Sequence, residues 1–253
     1  MGRSYKKIII LGKGSVGFYL YNYLIAKGFK NTQIISLRSE GKKISNVIEI
    51  VNNSDLIFDC MDRNIGEVDF ERSNLIRVIR NNIYEKENIM YLYLSSTNIY
   101  SISSNKIDED GEIASEQLSI YQKNKIKVEN EIQKKIHPNN YLIARMPSIW
   151  GMEIYNKSFM FDLINSYKKN IVLDSAMNDE LIFSYINIQN AVEILCGLFK
   201  NSSGIFNIVT EDWASRKDLK LKRINFNLKG KGRKIISKKY DYKEFISDKI
   251  NLL

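Results

Sequence analysis

Lys7-Ile-Ile-Ile-Leu11 runs straight into Gly12-Lys-Gly14-Ser-Val-Gly17 and then into a segment of helical period, Val16 to Lys27. Four consecutive apolar residues, Ile8 to Leu11, suit a strand buried on both faces. A G-x-G-x-x-G pattern between such a strand and a helix is one that can cradle a diphosphate. Gly12 permits the tight turn, Gly14 lets the backbone approach a pyrophosphate, and Gly17 allows close packing of helix on strand. The diphosphate then sits at the helix N-terminus, where unpaired N–H groups point outward, and Ser15 and Val16 belong to the same cofactor-binding turn. The bland alternative is an ordinary glycine turn.

Further runs suited to buried parallel strands follow at Thr32 to Leu37, Asp55 to Cys60, Ile89 to Ser95 and Tyr141 to Arg145. Helix-period stretches separate them, clearest at Phe70 to Tyr84, Ser115 to Lys135 and Ile188 to Phe199. Alternation of this kind predicts an α/β protein with a doubly wound parallel sheet of Rossmann type. After Gly151 the alternation decays, with one more strand-like run at Gly204 to Val209. We therefore expect a dinucleotide-binding domain over 1–150, with 183–210 returning to the sheet. The segments 151–182 and 211–253 then form a small C-terminal substrate-binding portion.

The second strand candidate ends in Ser36-Leu-Arg38-Ser39, where an NAD-binding chain of this type carries an acid for the ribose hydroxyls. A carboxylate there would repel a 2′-phosphate, whereas Arg38 can hold one, so NADP is expected ahead of NAD. Arg38 as a solvated strand end is the competing reading.

The 253 residues, 44% hydrophobic and 26% charged, suffice for one sizeable core. No stretch approaches the roughly 20 apolar residues of a membrane span, so a cytoplasmic protein without a membrane partner is expected. The inventory of Cys60, Cys196 and His137 excludes disulfide scaffolds, Cys/His zinc sites and His-dependent triads. No metal is expected. The net charge of +9 is local: Arg216 to Lys239 holds eleven Lys/Arg against Asp218, a net +10. Such a run can bind nucleic acid, neutralise the phosphates of a small substrate or be a solvated face.

Tyr121 and Lys125 stand four apart in a helix-period stretch and so share a face. An ammonium beside a phenol favours the phenolate, which draws the tyrosine toward the working range of an acid/base catalyst. Ser96 lies 25 residues before Tyr121 at the end of an apolar strand, in Leu94-Ser-Ser-Thr-Asn-Ile-Tyr100, where a hydroxyl can orient a substrate oxygen. Alone, Y-x-x-x-K is a common surface pair. The glycine turn, Ser96 and Tyr121/Lys125 in this order make chance a poor account.

With these motifs the chain resembles the extended short-chain dehydrogenase/reductases, which include NAD-dependent epimerases, dehydratases and reductases of nucleotide sugars. The resemblance extends over roughly residues 6 to 210 and includes Asp55-Leu-Ile-Phe-Asp-Cys60, Ala144-Arg-Met-Pro-Ser-Ile-Trp-Gly151 and Phe183 to Val192. It implies Tyr121 as acid/base, Lys125 as the residue that binds the nicotinamide ribose, and Ser96 as the carbonyl-orienting hydroxyl. It sets Cys60 beside the cofactor, where the family has small residues, and Pro147 and Ser148 beside the nicotinamide. It also implies a homodimer formed through the Phe70 to Tyr84 and Ser115 to Lys135 helices. Thr97 and Asn98 occupy the places where family dehydratases carry an Asp-Glu pair, so dehydration is disfavoured. The expected function is ketoreduction or epimerisation of a nucleotide-activated sugar in polysaccharide biosynthesis. The alternative is a non-catalytic dinucleotide sensor, or a nucleic-acid- or partner-binding protein on the same fold; that alternative gives Ser96, Tyr121 and Lys125 nothing to do.

Overall fold

The structure, a computed structural model, describes residues 5–36, 44–61, 70–151, 181–210, 212–215 and 232–244. Among these, in chain order, lie β1 (Ile8–Leu11), α1 (Ser15–Ala26), β2 (Thr32–Ile35), α2 (Ile44–Asn52), β3 (Leu56–Asp59), α3 (Phe70–Tyr84), β4 (Met90–Ser96), β5 (Lys106–Ile107), α4 (Ile120–Lys135), β6 (Tyr141–Met146), β7 (Ser148–Trp150), β8 (Ile182–Asn187), α5 (Ile188–Leu198), β9 (Gly204–Asn207), β10 (Trp213–Ser215) and β11 (Gly232–Ile235). Contacts divide the chain into two compact units. One comprises Met1–Ser95, Gln117–Ala144 and Cys196–Ile205, the other Ser96–Glu116, Arg145–Leu195 and Phe206–Leu253.

A six-stranded sheet in the order β2-β1-β3-β4-β6-β9 organises the first unit, as the alternating pattern predicts. β1 runs parallel to β2 and to β3, and β3 parallel to β4. The chain winds outward from β1 to β2 and then crosses to the other side of β1 for β3. The carboxyl ends of β1 and β3 therefore form a topological switch point, the place where open α/β sheets bind ligands. Strands β1 and β3 are buried at every residue, in keeping with their apolar runs. The core beneath them gathers Ile9, Leu11, Ile57, Tyr91, Tyr93 and Ile132.

The helix expected from Ser115 begins at Ile120. Gln117 adopts φ +50, which interrupts a helix, and Ser119 caps the new start. The Ser119 hydroxyl accepts from Gln122 N–H, and the Gln122 side chain accepts from Ser119 N–H at 2.9 Å, a complete capping box. Helix α1 closes at Gly28: its N–H and that of Phe29 bond back to the Ile25 and Leu24 carbonyls, both at 3.0 Å.

The second unit holds a five-stranded sheet in the order β10-β8-β11-β5, with β7 also paired to β8. The β8–β10 pairing is antiparallel, and the β8–β11, β11–β5 and β7–β8 pairings are parallel. Its apolar core joins Tyr100, Ile107, Val209 and Ile235. A buried polar knot lies beside it. The Glu109 carboxylate accepts from Asn207 N–H (3.1 Å), Ser237 Oγ (2.5 Å) and Lys238 N–H (3.1 Å). Tyr100 donates to Asn207 Oδ1 at 2.8 Å and accepts from Arg145 at 2.7 Å.

Candidate active site

At the end of β1, Gly12 turns the chain with φ +104, its N–H donating to the Ile35 carbonyl at 2.8 Å. A Cβ here would meet the Cys60 carbonyl oxygen at 2.7 Å, so any other residue would push the ends of β1 and β3 apart. A Cβ on Gly17 would come within 2.0 Å of the Gly12 carbonyl oxygen, which ties the turn closely to α1. Among the described residues, nothing lies within 4 Å of a Cβ built on Gly14, the N-cap residue of α1, and no side chain caps the helix there. Ser15 and Val16 open the helix, whose first turn carries no acid. Tight packing behind Gly12 and Gly17, open space at Gly14 and an uncapped helix N-terminus together fit a bound diphosphate.

On α4, Lys125 and Tyr121 face the same way. Lys125 is buried, donates from Nζ to the Leu94 carbonyl at 2.6 Å, and lies 5.6 Å from the centre of the Tyr121 ring and 4.7 Å from that of Tyr93. One turn on, the buried Glu129 carboxylate accepts from the Ser95 hydroxyl. Two polar attachments therefore hold α4 to β4 and fix the face that carries Tyr121. Cys60 follows β3, its N–H donating to the Leu11 carbonyl at 2.8 Å. Burial pushes its thiol well above the ordinary range, with Asp59 adding to the effect and Lys125 opposing it. The glycine turn, Cys60 and Lys125 thus belong to one neighbourhood of the first unit.

No protein-family model matches the chain, and no curated protein matches it in sequence. Solved structures do match. MoeE5 in complex with UDP-glucose and NAD superposes with a TM-score of 0.71 at 14% identity, over 94% of this chain and 91% of that one. The UDP-N-acetylglucosamine 4-epimerase of Methanobrevibacter ruminantium M1, in complex with UDP-N-acetylmuramic acid, gives 0.71 at 15%, over 98% and 94%. The UDP-glucose 4-epimerase of Thermus thermophilus, in complex with NAD, gives 0.68 at 10%, over 91% and 90%. The chain has the Rossmann-type α/β fold of these structures.

Within this fold, Gly12, Gly14, Ser15, Val16, Gly17, Cys60, Tyr121 and Lys125 all fall in the first unit. Ser96 ends β4 and opens the second unit; its hydroxyl caps the turn Thr97–Ile99 by accepting from Asn98 N–H at 3.2 Å. Pro147 and Ser148 lie in the second unit, Pro147 buried and Ser148 half-buried at the start of β7. Arg38 lies outside the described residues.

A buried charged group at the end of β3 escapes a reading of the sequence. Asp59 is fully buried and receives hydrogen bonds from Arg80 Nε at 2.7 Å, from Tyr91 OH, and from Met61 N–H at 3.0 Å. The signal available beforehand is an acid inside the apolar run Leu56-Ile-Phe-Asp59-Cys60, together with Arg80 among Ile76, Ile79 and Ile83.

Of the basic run, Arg216 to Lys231 lie outside the described residues. The remaining four cations have partners within the second unit. Arg233 donates to the Tyr100 carbonyl at 2.8 Å, Lys234 to the Ser104 carbonyl at 2.7 Å, and Lys238 pairs with Asp110. Lys239 lies 5.0 Å from the centre of the Phe206 ring. Burial lowers the pKa values of Arg233 and Lys239, as expected for cations packed into a fold.

Proposed function

We propose that this protein is an NAD(P)-dependent enzyme that acts as a ketoreductase or epimerase on a nucleotide-activated sugar, with Tyr121 as acid/base. The observation that carries the reading is the buried Lys125 ammonium 5.6 Å from the Tyr121 ring, on a helix attached to the strand that ends in Ser96. The diphosphate-shaped turn at Gly12 to Gly17 supports the cofactor assignment. The UDP-sugars and NAD named for the superposed structures support the substrate class.

A bound nicotinamide supplies or accepts hydride at a sugar carbon. The rest of the mechanism belongs to the chain. The N-terminus of α1 and the backbone at Gly14 hold the diphosphate. Lys125 binds the nicotinamide ribose and stabilises the charge that builds on the Tyr121 oxygen as its proton moves. Tyr121 gives that proton to the substrate oxygen in reduction and takes it in oxidation. Ser96 Oγ accepts from Asn98, which orients its proton for donation to the same substrate oxygen. Cys60, Pro147 and Ser148 complete the cofactor-side set. The residues 1–150, with 183–210, serve the cofactor, and 151–182 with 211–253 serve the sugar nucleotide.

Thr97 and Asn98 offer no carboxylate pair for loss of water, which favours ketoreduction or epimerisation over dehydration. Arg38 favours NADP, and the protein is proposed to work in the cytoplasm as a homodimer through α3 and α4. Exposed Val78 on α3 and Ile120 on α4 support that contact. The structural employment of Arg233, Lys234, Lys238 and Lys239 weighs against a nucleic-acid reading of the basic run.

The deciding experiment identifies the nucleotide that co-purifies with the protein, then screens 4-keto and parent nucleotide sugars with NADPH and NADP⁺. Nicotinamide absorbance follows reduction and product analysis detects epimerisation. A protein that binds no dinucleotide and turns over none of these sugars overturns the proposal.

A further inference from the structure

We infer that Asp59 is a positioning residue for the dinucleotide, acting through the peptide that joins Cys60 to Met61. The inference rests on the cofactor reading of the glycine turn. That peptide is the floor of the turn: a Cβ on Gly12 would stand 2.7 Å from the Cys60 oxygen, 2.9 Å from its carbonyl carbon and 3.3 Å from Met61 N. Its orientation therefore sets how closely Gly12, and the backbone leading to Gly14, can lie against the end of β3.

Asp59 fixes that orientation from below. Its Oδ1 accepts from Met61 N–H at 3.0 Å, so the peptide's amide points down into the carboxylate and its carbonyl is left against Gly12. On the other side, Cys60 N–H is held by the Leu11 carbonyl at 2.8 Å. The carboxylate is itself immobilised, because Arg80 Nε at 2.7 Å and Tyr91 OH both bond Oδ2. Arg80 also lies 5.2 Å from the centre of the Tyr93 ring, the ring that Lys125 approaches to 4.7 Å. A carboxylate wholly removed from water is costly unless it is paired and hydrogen-bonded, and here donors from α3, from β4 and from the backbone just past β3 converge on it. An apolar residue at 59 would suit the core of the sheet equally well. What it would lack is an acceptor for Met61 N–H.

The test compares two variants of the full chain that remove the buried ion pair in the same way and differ in whether position 59 still offers Met61 N–H a side-chain acceptor. Asp59→Asn with Arg80→Met keeps a side-chain oxygen for Met61 N–H, and Asp59→Ala with Arg80→Met does not. Titration of NADH and NADPH, read by nicotinamide fluorescence, gives each Kd. The asparagine double variant is expected within about threefold of wild type. The alanine double variant is expected to bind about tenfold more weakly, the scale of one lost buried hydrogen bond. A purely structural role would lower thermal stability in both and leave their affinities equal, so equal affinities overturn the inference. If the alanine double variant does not fold, Arg80→Lys decides, since it keeps the charge but loses the planar Nε–H donor. Weakening by about threefold is then expected, and unchanged affinity overturns the inference. Wild-type protein that binds neither dinucleotide overturns this inference together with the proposed function. Wild-type binding with equal affinities in the two double variants removes Asp59 alone.

Discussion

Lys125 Nζ donates to the Leu94 carbonyl oxygen at 2.6 Å, across the packing of α4 on β4. The bond spends a strand carbonyl near the end of the sheet on an ammonium from the neighbouring helix. It places a buried positive charge at the carboxyl edge of the sheet, where α1 also directs its positive end. Under the proposed function, this arrangement would favour charge development on the Tyr121 oxygen and a diphosphate at Gly14.

Tyr121→Phe is expected to abolish turnover while leaving dinucleotide affinity nearly unchanged, since only the phenolic proton is lost. Lys125→Met should reduce turnover and weaken dinucleotide binding together. Calorimetric titration beside the turnover assay separates the two patterns. Wild-type turnover in Tyr121→Phe would end the acid/base assignment.

Ser96→Ala is expected to lower kcat by about 10² to 10³, the effect of one lost donor to a developing oxyanion. Its hydroxyl also caps the turn Thr97–Ile99, so the variant should lose a little stability as well. Ser96→Thr restores the cap and the donor and should recover most of the rate. A Ser96→Ala enzyme within twofold of wild type in kcat argues for a capping role alone.

NADP(H) should bind more tightly than NAD(H), and Arg38→Ala should remove the difference by weakening NADP(H) only. Calorimetry with both cofactors measures it. A preference for NAD(H) that survives Arg38→Ala removes Arg38 from the site.

The legible part of the molecule is the part built from local periodicity. β1, the glycine turn and α1 are contiguous, and Phe70 to Tyr84 is helical over the expected residues. Tyr121 and Lys125 are visible because four residues make a helical turn. The second sheet is not legible in the same way: β5 has two residues, β7 and β10 three each, and their partners lie far off in the chain. A two-residue strand carries no period to read. The Asp59 network fails for a related reason, since Arg80 and Tyr91 stand 21 and 32 positions away and only the sheet and α3 bring them together. The early start expected for α4 reflects local turn chemistry, in which Ser119 and Gln122 outcompete continuation of the helix toward Ser115.

Ser119→Ala should destabilise the protein by about 1 kcal/mol, the usual worth of an N-cap. Gln122→Ala should cost less, since it removes the return bond to Ser119 N–H and leaves the cap itself. Chemical denaturation measures both. Because α4 carries Tyr121 near this end, both variants should also lose some turnover at temperatures where the first turn frays. Equal stability of Ser119→Ala and wild type contradicts the capping box.

Alkaline pH should destabilise the protein in a window set partly by Tyr100. Burial pushes this phenol up to about 12, with Arg145 and its hydrogen bond pulling the other way. In the unfolded chain a tyrosine titrates near 10. Between these values the folded state keeps a proton that the unfolded state has lost, so the folded state binds more protons and stability falls as pH rises. The contribution is fully present below pH of about 10 and disappears as pH passes through about 12. Tyr185, also pushed up to about 12 by burial and by Asp212, acts in the same direction. Tyr100→Phe should lower stability at neutral pH, because Arg145 and Asn207 lose a buried partner, and should flatten the decline above pH 10. Denaturant midpoints for wild type and Tyr100→Phe between pH 8 and pH 12 give both slopes. An identical slope in the two proteins would show that Tyr100 ionises alike in the folded and unfolded chain.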